Sequence, residues 1–267
     1  QGEVVAAASA SGEVYLLNSE LDEVWDVDLG RTILGGTALN STNVYVITSD
    51  AVLVALARSD GTKVFETVLP GGATVPPVAT DSLVFVKTQI GRILAVNAQT
   101  GVTVWVEEVK ESGVGIRGGS PMTLEGDILF VLWGSGRIVA YQADSGRIIW
   151  ERQVAVSRGR SPLTRIVDSK GAPSVRNNYV VTATRNGQVS LLDARNGQLI
   201  WNLDSDAYPG ALLAFNSVIV VGTDGTISAY SAQSGESLWS NAALKHRELS
   251  APVVIDDFVA VVDLEGE

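Results

Sequence analysis

The stretch GRILAVNAQTGVTVW at 91–105 contains a pattern that recurs along the chain. A glycine begins an alternating apolar strand, a polar turn ends in a second glycine, and an aromatic residue follows four positions later. Weaker copies are LVALARSDGTKVF, which ends at Phe65, and GEVYLLNSELDEVW, which ends at Trp25 without the second glycine. A pattern that recurs at this interval predicts a repeat architecture. The closest further copies are GRIVAYQADSGRIIW at 136–150, GQVSLLDARNGQLIW at 187–201 and GTISAYSAQSGESLW at 225–239.

Each repeat has the periodicity of strands, because apolar and polar residues alternate within it. Asn186-Gly187 and Asp224-Gly225 are typical of two-residue hairpin turns, since these residue types tolerate a positive φ. In turns such as Asp144-Ser145-Gly146, the glycine suits a left-handed residue that closes a slightly longer hairpin. The sequence therefore predicts one antiparallel hairpin around each polar turn.

Two more apolar strands precede each of these hairpins, as in Pro77-Val78 followed by Leu83–Val86. Four short antiparallel strands in about 40 residues predict an all-β fold, a β-propeller built from four-stranded blades. A solenoid with shorter coils is the alternative, and four strands per repeat argue against it. The aromatic anchors lie 40, 40, 45, 51 and 38 residues apart. We expect neighbouring blades to bury them: Trp25, Phe65, Trp105, Trp150, Trp201 and Trp239.

The repeats predict a single β-propeller domain over residues 1–267. We count the second half of one blade at 1–29, then five complete blades, then the first half of another at about 250–267. The chain would then start and end mid-blade, which leaves bare sheet edges that invite aggregation. We therefore expect the intact protein to continue at both ends as a ring of seven or eight blades, of which six to seven are represented here.

Composition excludes several classes of function. The chain has no cysteine and one histidine, His246, so thiolate metal sites, disulfides and histidine clusters are excluded within it. The net charge of −11 makes nucleic acid an improbable partner for the whole surface. No run of about 18 apolar residues is present to span a membrane. The sequence predicts no catalytic residue, no metal site and no cofactor.

The two longest repeats carry their additional residues in the same connection. From the aromatic anchor to the next Pro-Val-type strand start there are 12 residues after Phe65, 16 after Trp105 and 23 after Trp150. We predict that this connection joins the outermost strand of one blade to the innermost strand of the next. Two neighbouring long connections would form one protruding patch, and long loops on a rigid scaffold commonly carry function.

The first long connection includes ESGVGIRGGS at 111–120. Val114, Ile116 and Arg117 fit a protein-binding hot spot, in which apolar side chains lie beside an arginine. The alternative is that the apolar pair packs into the blade and Arg117 is solvated. Nothing in the sequence supports general acid–base catalysis.

The second long connection includes VSRGRSPLTRIVDSK at 156–170, which is rich in arginine. Residues 137–195 hold ten lysines and arginines against four acids, a local charge of +6, so the rest of the chain carries −17. This basic segment is either solvated blade surface or a patch that faces an acidic partner.

These connections make the chain resemble the BamB family, the propeller lipoproteins of the outer-membrane β-barrel assembly (BAM) machinery. The likeness covers essentially the whole length. It is most specific at 161–205 and at LKHRELSAPVV, residues 244–254. The stretch VGIRG at 114–118 is similar to the family's Leu-x-Leu-Arg-Gly loop.

The resemblance implies an eight-bladed, non-enzymatic scaffold at the periplasmic face of the outer membrane, tethered by a lipidated cysteine upstream of this chain. It implies docking on a periplasmic POTRA domain of BamA, the barrel-inserting subunit. Unfolded outer-membrane proteins are a second candidate partner, and we expect a monomer in isolation.

The resemblance also assigns the contact residues. Val114, Ile116 and Arg117 would contact BamA, with Arg165 and Asp168 beside them. The family has a second acid two positions after the first, in an Asp-x-Asp arrangement. This chain has Lys170 there, which reverses one charge in that part of the contact.

Two other functions are compatible with a propeller. A ligand-sensing domain of a larger receptor would be supported by a long continuation beyond the ring. A quinoprotein dehydrogenase would need clustered oxygen ligands for Ca²⁺ and a catalytic aspartate on the inner loops. A vicinal cysteine pair would strengthen that alternative, but the chain has no cysteine and its inner strands start at Pro-Val, Ala-Leu and Ser-Val.

Overall fold

The structure is a computed structural model that describes residues 3–109, 119–155, 169–185 and 187–266. These residues form β-strands and turns, and among them no helix is long and apolar enough to cross a membrane. Each strand pairs with its neighbours in sequence, and the pairings in the described part of the chain are antiparallel. This order contradicts the solenoid alternative, whose coils would stack in parallel.

The chain divides into two compact units. The first spans 1–110 with the turn Ala143–Gly146, and it contains a three-stranded sheet followed by two four-stranded sheets. In chain order its strands are β1 (Val5–Ala8), β2 (Glu13–Leu17), β3 (Glu23–Asp28), β4 (Ile33–Leu39), β5 (Asn43–Thr48), β6 (Val52–Ala57), β7 (Lys63–Val68), β8 (Val78–Ala79), β9 (Leu83–Lys87), β10 (Arg92–Asn97) and β11 (Thr103–Glu108).

The second unit spans 111–142 and 147–267, and it contains three four-stranded sheets and one two-stranded sheet. Its strands are β12 (Thr123–Glu125), β13 (Ile128–Leu132), β14 (Arg137–Gln142), β15 (Ile148–Gln153), β16 (Ser174–Arg176), β17 (Tyr179–Ala183), β18 (Gly187–Asp193), β19 (Leu199–Ser205), β20 (Gly210–Ala214), β21 (Ser217–Val221), β22 (Ile227–Ser231), β23 (Ser237–Asn241), β24 (Val253–Ile255) and β25 (Phe258–Ala260).

The sheets correspond to the predicted blades. The five complete four-stranded blades are confirmed, as is the two-stranded start of another. The first sheet has three strands where two were predicted, because Val5–Ala8 pairs with β2. That segment is mostly alanine, a residue with little strand preference, so its pattern was too weak to indicate a strand. The single propeller domain over 1–267 stays a prediction.

The hairpin that carries the polar turn has the same geometry in each sheet of three or four strands. Its register shifts one residue past the partner of the aromatic anchor, for example between Ala95 and Val96. Such a bulge bends the outer strand. Gly146 and Gly197 have φ of 71° and 70°, so the predicted left-handed closing residue is confirmed.

The turn at Asp224-Gly225 is longer than the two residues predicted. Five residues separate β21 from β22, and Thr226 donates its N–H to Asp224 Oδ1 at 2.9 Å. The aspartate carboxylate satisfies the turn's own backbone, which favours the longer loop. Of the other predicted two-residue turn, Asn186 lies outside the described residues.

The core lies in the middle strands of the sheets. All six residues of β5 are buried, whereas the outermost strand β7 alternates between exposed and half-buried residues. A strand covered on both faces reads as a continuous apolar run, and β5 and β9 do so. In the first unit Ile47 and Val86 belong to one cluster formed by neighbouring sheets.

Five of the six aromatic anchors contact the hairpin of the following sheet. Trp150 is 8% exposed, and its indole Nε1 donates to the carbonyl of Ala194 at 2.8 Å. A Cβ on Gly197 would lie 2.5 Å from Trp150 Cε3, so only glycine leaves room for the ring. The equivalent contacts of anchor and glycine are Trp25 with Gly61, Phe65 with Gly101, Trp105 with Gly146 and Trp201 with Gly235.

Trp239 departs from the expectation that every anchor is buried between blades. Its side chain is 49% exposed. The sheet that follows consists of β24 and β25, and in the described residues it supplies no hairpin glycine for the ring. That the anchors stabilise the folded protein by packing between sheets stays a prediction.

Candidate functional site

The two long connections lie where the sequence predicts them. One joins β11, which ends at Glu108, to β12, which begins at Thr123. The other joins β15, which ends at Gln153, to β16, which begins at Ser174. By contrast, only four residues separate β3 from β4. The outermost-to-innermost placement of the additional residues is confirmed.

Most of the predicted partner-binding residues fall inside these connections and outside the described residues. They are Val114, Ile116, Arg117, Arg165 and Asp168. Lys170 is described, and it lies exposed at the end of the second connection. The described ends of both connections therefore define the site.

The C-terminal ends of the two connections are joined by buried hydroxyl groups. Ser120, which is 1% exposed, donates its Oγ hydrogen to the carbonyl of Gly171 at 2.7 Å. Ser169 Oγ, also buried, donates to the same carbonyl at 3.1 Å. A carbonyl oxygen has two lone pairs and can accept both. We call Ser120, Ser169 and Gly171 the loop anchor.

A second hydroxyl contact lies directly beyond the loop anchor. Thr123 Oγ1, at the start of β12, donates to the carbonyl of Pro173 at 2.6 Å. The two connections thus enter adjacent innermost strands at the same level. Their final residues lie side by side before either strand begins.

The loop anchor is fixed to the next sheet by a close approach of two backbones. A Cβ on Gly171 would lie 2.6 Å from Gly210 Cα and 2.6 Å from the carbonyl oxygen of Pro209. Lys170 donates its backbone N–H to the carbonyl of Tyr208 at 2.9 Å. Three neighbouring sheets of the second unit therefore hold the end of the second connection.

The N-terminal end of the second connection is also held. Val154 and Ala155 are buried, and their N–H groups donate to the carbonyl of Gly136 at 2.9 and 3.1 Å. Gln153 Nε2 donates to the carbonyl of Ser135 at 2.8 Å. The first connection starts similarly, with Val109 N–H donating to Gly91 O at 2.8 Å. Such fixed ends suit a binding loop on a rigid scaffold.

Tyr208 and Arg185 adjoin the loop anchor, and the sequence analysis did not single them out. The Arg185 guanidinium lies 5.7 Å from the centroid of the Tyr208 ring. Both residues stand outside the repeated pattern, so periodicity could not indicate them. The one available sign was Tyr208-Pro209-Gly210 at a position where other repeats start their innermost strand with Pro-Val.

The connection from β23 to β24 is held by charged residues on the same unit. Lys245 Nζ lies 3.3 Å from Asp224 Oδ2, and the backbone N–H of His246 donates to the carbonyl of Asp224 at 2.9 Å. The backbone N–H of Thr226, the Thr226 hydroxyl and Lys245 together lower the pKa of the Asp224 carboxyl. Within the described ranges, no group of three histidine or acidic residues is placed to hold a metal ion.

Comparison with known proteins finds one family over most of the chain. Residues 10–241 match the family model described as "Outer membrane protein assembly factor BamB". The chain is 28% identical over 278 residues to the outer membrane protein assembly factor BamB of Yersinia pestis, an alignment that covers 100% of this chain and 71% of that protein.

Solved structures give the same result for the fold. The crystal structure of BamB from Moraxella catarrhalis matches with a TM-score of 0.89 and 26% identity, over 98% of this chain and 79% of that one. A europium-containing methanol dehydrogenase matches with a TM-score of 0.72 at 14% identity, over 100% and 76%. The second likeness shows the fold alone, and both place the chain in the β-propeller class.

Proposed function

Because the chain belongs to the family of the outer membrane protein assembly factor BamB, we propose that it is a scaffold subunit of the outer-membrane β-barrel assembly machinery. In this proposal it binds a periplasmic POTRA domain of BamA through its two long connections. It thereby assists the folding and insertion of outer-membrane proteins, at the periplasmic face of the outer membrane.

The observation that carries the proposal is the loop anchor. The hydrogen bond from Ser120 Oγ to Gly171 O holds the ends of both long connections together at 2.7 Å. Val114, Ile116 and Arg117 stand three to six residues before Ser120, and Arg165 stands six before Gly171. A single partner surface can therefore meet both sets of residues at once.

The proposed role needs no catalysis. Relatives such as the Yersinia pestis protein are named as assembly factors. An arginine beside apolar side chains is typical of residues that dominate the binding energy of protein interfaces. Arg117 and Arg165 are accordingly the residues whose charge should matter most.

The test is a binding titration of the full-length mature protein against the isolated POTRA domains of its own BamA. Arg117→Glu and Arg165→Glu are compared with the control Arg176→Glu, which makes the same charge change at an exposed end of β16. We expect each of the first two variants to lose about 1–3 kcal/mol of binding free energy. Circular dichroism and thermal unfolding establish that the variants are folded.

Three outcomes of this titration distinguish the proposed surface from the alternatives. Selective loss in the two variants supports the proposed surface. Wild-type binding that neither variant weakens more than Arg176→Glu does would move the interface away from the long connections. Absence of wild-type binding would contradict the scaffold role and favour a ligand-sensing domain instead.

A further inference from the structure

Tyr208 forms a fixed aromatic platform beside the loop anchor. Its carbonyl accepts the N–H of Lys170 at 2.9 Å, and its own N–H donates to Thr223 Oγ1 at 3.2 Å. The next residue, Pro209, is buried. The backbone is thus held from both sides, so placing this ring against a partner loses little conformational entropy.

Two cationic residues contact Tyr208, one through its side chain and one through its backbone. Arg185 lies over the Tyr208 ring at 5.7 Å, a cation–π distance that holds the guanidinium in place. Lys170 is exposed, and its backbone N–H is bonded to the Tyr208 carbonyl. In the part of the chain that the structure describes, no carboxylate lies within ion-pair distance of either Arg185 or Lys170. Their charges are therefore available to a carboxylate from outside.

Asp206 lies two residues before Tyr208 and shares Thr223 with it as a hydrogen-bond partner. Asp206 is exposed, and its Oδ1 accepts the hydroxyl hydrogen of Thr223 at 2.8 Å. Among the described residues named here, the cations Lys170 and Arg185 outnumber the carboxylate of Asp206. In sequence, residues 156–168, which precede Lys170, contain three arginines and one aspartate, in a chain of net charge −11. This local excess of positive charge favours an acidic partner surface.

We propose that the partner-contact surface continues beyond the two long connections onto Lys170, Arg185 and Tyr208, which together receive a carboxylate-bearing segment of the partner. The inference rests on the proposed function. It adds a specificity element to it, since arginine and tyrosine are the side chains most often found at interface hot spots. Lys170 thereby becomes an attractive contact in its own right.

The experiment uses the full-length protein and the same POTRA domains at two salt concentrations. Arg185→Glu and Tyr208→Ala are compared with Arg176→Glu, which makes an identical charge change in the same sheet. β17 runs between Arg176 and Arg185, and its five residues separate its ends by roughly 15 Å. Arg185→Gln is included because it removes the charge with a smaller disturbance to folding.

We expect Arg185→Glu to weaken binding by about tenfold or more at low salt, and by less at high salt. Tyr208→Ala should weaken it by about fivefold or more at both. Arg176→Glu should stay within about twofold of wild type.

Equal affinities of Arg185→Glu, Arg185→Gln and Arg176→Glu for the POTRA domains would overturn the proposal that the platform binds the partner. Loss in Arg117→Glu alone would then leave the proposed function standing. Absence of wild-type binding would overturn both. A separate experiment measures association with phosphatidylglycerol vesicles. If Arg185→Glu weakens vesicle association selectively and leaves POTRA binding unchanged, the platform binds lipid and the proposal is contradicted.

Discussion

Gly171 and Gly210 let two backbones meet where any larger residue would separate them. The Cβ that alanine adds at Gly171 would lie 2.6 Å from Gly210 Cα. Backbone atoms cannot rotate away as a long side chain can, so the strain would pass to the whole end of the second connection. Turn glycines can be predicted from sequence, but Gly171 and Gly210 meet across two sheets, and the local sequence of neither residue indicates the contact.

We predict that Gly171→Ala destabilises the protein by about 1–3 kcal/mol, because the backbone must move to admit the methyl group. Gly72→Ala is the matched control, since its Cβ would meet only Gln89 Oε1 at 3.4 Å. Urea unfolding followed by tryptophan fluorescence measures both. Equal midpoints for the two variants would show that the close approach of Gly171 and Gly210 is not strained by a methyl group.

The buried hydroxyls of the loop anchor show why part of the site could not be predicted. Val114, Ile116 and Arg117 stood out because their residue types suit an interface. Ser120 and Ser169 are ordinary polar residues in sequence, and only the fold buries them. Their role depends on a carbonyl 51 positions away from Ser120, a separation that no local pattern encodes.

At the scale of the elements, the aromatic anchors were predictable because two periodic signs agree. Every anchor except Trp25 stands four residues after a glycine, and this spacing recurs from one repeat to the next. When the hairpins of consecutive sheets pack against each other, the anchor of one meets the glycine of the next, as Trp201 meets Gly235. Trp239 has the same sequence context but is half exposed, since burial requires a complete neighbour.

We predict that Trp150→Ala costs about 3–5 kcal/mol of unfolding free energy, because it empties a buried site and removes the hydrogen bond to Ala194. Trp239→Ala should cost about 1 kcal/mol or less, since the residue is 49% exposed. The pair is a matched comparison at equivalent repeat positions. Thermal unfolding measures both, and similar losses would contradict the packing role assigned to the buried anchors.

Strand boundaries were less predictable than anchors. The alternating strands around each polar turn carry their own pattern, and β14 and β15 lie where it indicates. β1 carries no such pattern, and its pairing with β2 comes from tertiary context. Local sequence thus specifies the hairpins, whereas a weakly patterned strand such as β1 forms because it pairs with the strand beside it.

At the scale of the whole molecule, several carboxylates are stabilised in their charged form. Arg195 lowers the pKa of Asp193, and Lys63 with Arg31 lowers that of Glu66. The Thr226 N–H, its hydroxyl and Lys245 do so for Asp224. A carboxyl whose folded pKa lies below its unfolded value adds stability above the unfolded pKa, and that stability is lost as the pH falls through the folded pKa.

We therefore predict that the contribution of these carboxyl groups to the free energy of unfolding is nearly constant from pH 8 to about pH 5. It should decline below about pH 4, where aspartate and glutamate side chains of the unfolded chain become protonated. Asp193→Asn should lower stability at pH 7 by less than about 1 kcal/mol, because Arg195 is exposed. It should also make the acid decline shallower. Asp144→Asn is the control.

Urea midpoints at pH 7 and pH 3 measure this prediction. Asp144 is exposed and has no ion pair in the described ranges, so its substitution should leave the difference between the two midpoints unchanged. An acid decline that is equally steep in wild type and Asp193→Asn would contradict the assigned role of the carboxylate.

The packing of five aromatic anchors against the hairpin glycine of the next repeat bears on how such a chain can lengthen. A repeat of about 40 residues typically contains one aromatic anchor and one hairpin glycine. The two do not pack against each other, because the anchor packs against the glycine of the next repeat and the glycine against the anchor of the preceding one. A tandem duplication of such a stretch, wherever it begins, supplies a ring for the glycine behind it and a glycine for the ring ahead of it. Gene duplication could therefore add or remove blades without matching its breakpoints to the physical boundaries of a blade.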